Sequence, residues 1–144
     1  MTNRYDWFVE FQEYAEPSVI RVGNGEEMIV QGEGSIDVET IVNEKYVPCT
    51  MFNVLYVPGL LCNLFSVKKT AKKGINFTVD SNGERCIFTK NNEVIAVGAE
   101  VGSLYKICLR VILPKAVLTA IKPDSLQLWH ERLAHQNKRH VKSY

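Results

Sequence analysis

The chain has 144 residues, a hydrophobic fraction of 46% and a formal net charge of +1. That length holds one domain with at most a short appended segment, and that hydrophobic content excludes an intrinsically disordered chain. The near-zero net charge excludes a global pull toward nucleic acid, no apolar run is long enough to span a membrane, and Met1 to Asp6 lacks the apolar centre of a signal peptide, so an intracellular protein, cytoplasmic or nuclear and without a membrane partner, is expected.

In chain order, Ser18-Val19-Ile20-Arg21-Val22 reads as a β-branched strand that meets the turn Gly23-Asn24-Gly25. Glu27 to Val30 leads away from it, and Gly32 and Gly34 mark a bulge or bend. Ser35 to Ile41 alternates apolar and polar residues with period two, as a half-buried strand does. Tyr46 to Thr50 contains Pro48, which places it at a sheet edge or a strand end. Asn53 to Val57 is a nearly all-apolar strand, ended by Pro58-Gly59. Ser66 is placed to cap a short helix that Gly74 ends. Ile75 to Val79, Cys86 to Thr89, Val94 to Val97 and Leu104 to Ile107 are further strands, with turns at Asp80-Ser81-Asn82-Gly83 and Asn91-Asn92. Strands about every ten residues predict a small antiparallel barrel or sandwich. Arg110 to Lys122 reads as a linker, and a C-terminal helix begins near Asp124 or Ser125, burying Leu126, Trp129 and Leu133.

Few constellations carry chemistry. Cys49, Cys62, Cys86 and Cys108 are far apart with no CxxC pair, so they read as free thiols rather than zinc ligands or disulfides. His130 and His135 lie five residues apart, a rotation of about 500° on a continuous helix, which points them about 140° away from each other. They can share a metal only if the helix ends between them, and a tetrahedral zinc ion then needs two more donors. No D-T/S-G turn, nucleophile elbow or phosphate-binding loop occurs. Lys68, Lys69, Lys72 and Lys73 read as a solvated helix face, and only the basic tail from Arg132 to Lys142 hints weakly at nucleic acid.

Three segments together resemble the Gag-Pol polyprotein of copia-type LTR retrotransposons. Leu128-Trp129-His130-Glu131-Arg132-Leu133-Ala134-His135 is similar to the L-W-H-x-R-L-G-H signature of the pre-integrase segment. Asn53-Val54-Leu55-Tyr56-Val57-Pro58-Gly59-Leu60 and Asn63-Leu64-Phe65-Ser66-Val67 resemble a stretch of the family's protease-like β-barrel. Gly23-Asn24-Gly25 and Gly32-Glu33-Gly34 resemble its early glycine-bearing hairpins.

The resemblance implies a mainly β, retropepsin-like barrel over residues 1–109 and the start of a GAG-pre-integrase segment over residues 110–144. It implies that Gly23, Asn24, Gly25, Gly32 and Gly34 form the flap-like hairpin, and that His130 and His135 are half of an HHCC zinc site whose cysteines are absent here. The family's catalytic D-S-G motif is also absent, so the expected protein is a Pol-derived piece without stand-alone proteolysis, although the parent polyprotein is an aspartic endopeptidase that also reverse-transcribes and integrates. It is expected to need no cofactor alone, to bind zinc only in the full-length context, and to form a homodimer through the barrel. Ala134 and Thr70 depart from the family, which has glycine and an apolar residue there. The alternatives are a domesticated dimerisation or peptide-binding module and, more weakly, an aspartic endopeptidase using Asp37.

Overall fold

Antiparallel strands dominate the fold, which a computed structural model describes for residues 1–115. The C-terminal helix expected after Pro123, with His130 and His135, lies outside the described residues. A 3-10 turn (Tyr5–Trp7) precedes β1 (Glu10–Arg21), β2 (Glu27–Val42) and β3 (Lys45–Tyr56). The short helix α1 (Val67–Ala71) follows, then β4 (Asn76–Val79), β5 (Arg85–Lys90), β6 (Glu93–Val101), β7 (Leu104–Ile107) and β8 (Leu109–Val111). Residues Met1–Leu113 form one compact unit.

The first sheet has the order β1-β2-β3, with β8 also pairing β2 at Val38 to Thr40. The second is the meander β4-β5-β6-β7. Two expected strands, Glu27 to Val30 and Ser35 to Ile41, are one continuous β2, because Gly32 and Gly34 stay in the ladder rather than break it. Likewise Tyr46 to Thr50 and Asn53 to Val57 belong to β3, interrupted by a bulge where Phe52 and Asn53 face Ser35. Asn53 takes the left-handed conformation there, with φ 57°. Pro48 sits on β3, whose outer edge has no partner strand along Lys45 to Val54 among the described residues, as a proline without a donor requires. Arg110 and Val111, expected in a linker, instead form β8: Arg110 pairs with Glu39 and stacks 3.9 Å from the centre of the Tyr46 ring.

Alternation along β2 buries Ile36, Val38 and Thr40 and leaves Asp37 and Glu39 half-buried on the other face. Phe8, Ile36, Val38 and Val54 form one apolar cluster. Val30, Val57 and Leu60 form a second, and Cys86, Phe88 and Ala96 form the third, in the meander. Full burial of a side chain such as Val30 or Val57 stabilises by about 1.5–3 kcal/mol. Phe65 packs edge-on against Phe88 at 5.4 Å, tying the loop before α1 to the second sheet.

The helix begins and ends where its capping residues stand. The Ser66 hydroxyl accepts the Lys69 amide at 3.3 Å, and Gly74 closes the last turn with φ 76°, its amide donating to the Ala71 carbonyl. Thr70 makes a local bond instead of an apolar contact, donating its hydroxyl to the Ser66 carbonyl at 2.9 Å.

Candidate functional site

Glycine chemistry shapes the β1–β2 hairpin in two different ways. At the tip, Gly25 adopts φ 87° and its amide donates to the Val22 carbonyl at 2.9 Å, while Asn24 accepts the Glu26 amide through its side chain at 3.0 Å. No atom lies where a side chain at Gly23 would project. Gly32 and Gly34 are instead sites of close approach. A Cβ at Gly32 would meet the Gln12 carbonyl and lie 2.5 Å from the Phe11 ring; one at Gly34 would meet the Glu10 carbonyl and lie 2.7 Å from the Phe8 ring. The five residues therefore divide into an open tip, Gly23 to Gly25, and a tightly packed base, Gly32 and Gly34, on one long hairpin.

A seam of the first three residues runs beside the end of β3. Thr2 pairs in parallel with Tyr56: its amide donates to the Leu55 carbonyl at 3.0 Å, and its carbonyl accepts the Val57 amide at 2.9 Å. The Thr2 hydroxyl donates to the Asn63 side chain at 2.7 Å, and the Asn3 amide group donates to the Leu60 carbonyl at 2.7 Å. The Met1 ammonium donates to the Leu64 carbonyl at 2.8 Å; burial, and then the positive charge of Lys69, lower its pKa. Next along the chain, Arg4 grips Asp6 through two bonds of 2.8 and 2.6 Å and lies over the Trp7 ring. No hydrophobic periodicity marks this seam, because three residues are too few to establish one.

The described carboxylates are dispersed. Hydrogen bonding to Arg4 holds Asp6 below its ordinary pKa. Asp80 is lowered chiefly by the Arg85 backbone amide, which donates to it at 3.2 Å, in the turn expected at Asp80 to Gly83. Asp37 lies on the half-buried face of β2, where the Thr50 hydroxyl donates to it at 2.7 Å. The Cys49 thiol, on neighbouring β3, is pushed up by desolvation and then by the negative charge of Asp37, so it is a poor nucleophile at neutral pH. Among the described residues no three His, Cys, Asp or Glu side chains cluster as metal ligands, and no helix is long and apolar enough to cross a membrane. The structure thus brings the hairpin glycines onto one element, while the two histidines lie outside the described residues.

Compared with known families, residues 1–75 match the Pol polyprotein, beta-barrel domain. The matched span runs from the seam through the three long strands and α1. No curated protein and no solved structure matches the chain.

Proposed function

With the chain belonging to the family of Pol polyprotein β-barrel domains, matched over more than half its length, we propose that it is a structural module of a copia-type Gag-Pol polyprotein and does not cleave peptides by itself. In this reading residues 1–109 are the retropepsin-like region and residues 110–144 begin the GAG-pre-integrase segment. One observation carries the non-catalytic assignment: each described aspartate is committed to a partner of its own. An aspartic dyad works because two carboxylates share one proton, which holds one of them far above its usual range. Asp6 and Asp80 are held below their ordinary pKa by hydrogen bonds from Arg4 and Arg85, Asp37 accepts from Thr50, and none of the three stands in a D-T/S-G turn.

The copia assignment draws its support from the order of motifs, with Asn53 to Leu60 before Leu128 to His135. His130 and His135 would supply two imidazoles to an HHCC zinc set, and zinc bound there would fix the fold of the segment rather than supply a reaction. Two donors are half of a tetrahedral set, so the 144-residue polypeptide should not retain a stoichiometric zinc ion through dialysis. The test of the main reading is incubation of the purified chain with an unstructured peptide at mildly acidic pH. No cleavage is expected; cleavage blocked by a transition-state mimic of peptide hydrolysis would overturn it.

A second reading, a peptide-binding module, is favoured by the edge of β3 along Lys45 to Val54, which has no partner strand among the described residues and offers backbone groups for an added strand. Saturable binding of an extended peptide, abolished by a proline at Thr50, would favour it over a purely structural role.

A further inference from the structure

One face of α1 carries a single sign of charge. Residues 45–75 hold five lysines and no acidic side chain, and four of those lysines stand together at Lys68, Lys69, Lys72 and Lys73. Lys72 keeps a helical backbone, φ −64° and ψ −16°, so the helical twist carries past Ala71. At about 100° per residue the four lysines fall within an arc of about 140°, and Val67, Thr70 and Ala71 take up the rest of the turn. All four lysines are exposed, and none enters an ion pair among the described residues. Sequence alone reads them as an ordinary solvated face, but such a face intersperses both signs. Lys68 with Lys72, and Lys69 with Lys73, are like-charge pairs four apart that repel each other along the helix. An anion laid along the arc relieves both.

We propose that this lysine face binds the phosphate backbone of a nucleic acid without regard to base sequence. Three kinds of anionic partner suit the charge, and the make-up of the face separates them. A bilayer takes up a helix that offers apolar side chains beside its lysines, and a peptide is held by a desolvated apolar or aromatic anchor. The arc has neither, because the two apolar residues of α1, Val67 and Ala71, lie outside it. A polyphosphate chain needs only charge: each lysine it meets releases a condensed counterion, and that release drives association. Lysine also suits phosphate as a mobile point charge that need not match one geometry. Residues 45–75 contain no arginine, so no guanidinium fork stands beside the lysines to read a base edge. This inference is independent of the non-catalytic reading, since it involves none of the aspartates on which that reading rests.

The test is fluorescence anisotropy of the full chain with a labelled oligodeoxythymidine, and with a duplex of the same length, across salt concentrations. Because the tail from Arg132 to Lys142 is also basic, the readout is the difference between the wild type and K68Q/K69Q/K72Q/K73Q. Four phosphate contacts steepen the fall of log K with log salt by about 2.8 on a single strand and about 3.6 on a duplex. From about 0.05 M to about 0.2 M salt, the wild type should therefore lose about fiftyfold more affinity than the variant on the strand and about 150-fold more on the duplex. K68R/K72R should bind as the wild type does, and a mixed-sequence strand should bind as oligodeoxythymidine does. L61S, which alters the 97%-exposed leucine of the loop before α1, should leave affinity unchanged. If the quadruple variant fails to fold, K68Q/K72Q and K69Q/K73Q should each remove half of the difference in slope. Equal salt slopes for the wild type and the folded variants, or no binding to either oligonucleotide, would overturn the proposal. Tighter capture by phosphatidylserine vesicles, or loss of binding in L61S, would overturn it in favour of an apolar contact with a membrane or a protein.

Discussion

Glu44 occupies a left-handed backbone conformation, φ 63°, in the two-residue turn that it forms with Asn43 between β2 and β3. The crowding of Cβ against the following carbonyl is offset in asparagine by local hydrogen bonding of its short side chain, whereas glutamate is strained there. Glu44→Gly should therefore stabilise the fold by about 0.5–1 kcal/mol, read from the midpoint of chemical denaturation. The hairpin glycines predict a contrast. Gly34→Ala drives a methyl into the Glu10 carbonyl and the Phe8 ring and should cost about 2 kcal/mol or more, whereas Gly23→Ala meets open space and should stay within about 0.5 kcal/mol. Asp6 predicts a pH response. Its folded pKa is depressed, so its stabilising contribution is present above the ordinary aspartate pKa, about 3.9, and is lost as pH falls through the lower folded value. Arg4 and Asp6 side chains are 38% and 35% exposed, so solvent screening holds the contribution to about 0.5 kcal/mol. Asp6→Asn should remove that part of the acid-induced loss in denaturation curves taken below pH 5.

At the scale of elements, local chemistry sets where strands bend and where the helix starts. The β3 bulge is built on Asn53 in a left-handed conformation; a β-branched residue there is strained, and Asn53→Val should destabilise by about 1–2 kcal/mol while Asn53→Gly is tolerated. The single side-chain cap of α1 is Ser66, and a helix of five residues has little propagation to sustain it. Ser66→Ala should cost about 1 kcal/mol locally, seen as roughly fivefold faster hydrogen exchange at the Lys69 amide with the exchange of β2 unchanged. Helix boundaries were legible in the sequence because Ser66 and Gly74 act through contacts only a few residues away. The strand at Glu10 to Glu13 was not, because Glu10 and Glu13 have weak strand propensity and hold strand geometry by pairing with Ser35 and Gly32 of β2, a long-range effect.

Across the whole molecule, the mainly β character and the tight turns at Gly23 to Gly25, Asp80 to Gly83 and Asn91-Asn92 were readable from alternation and turn residues. The division into two sheets was not, since nothing local tells which strands pair. Leu109 to Val111 illustrates this: three residues carry no period, yet they form a strand because β2 offers a free edge beyond the end of β1. The site was legible only in part. Gly25 could be recognised from turn chemistry, while the close packing at Gly32 and Gly34 depends on Phe8, Phe11 and β1 arriving from elsewhere. The passage from β7 to β8 has a mechanical consequence. Cys108 alone separates Ile107 in one sheet from Leu109 in the other, and its amide still donates to the Val97 carbonyl. There is no slack at that junction, so tension applied to one sheet reaches the other within a single residue, and the pair should yield as one mechanical body rather than peel apart in sequence.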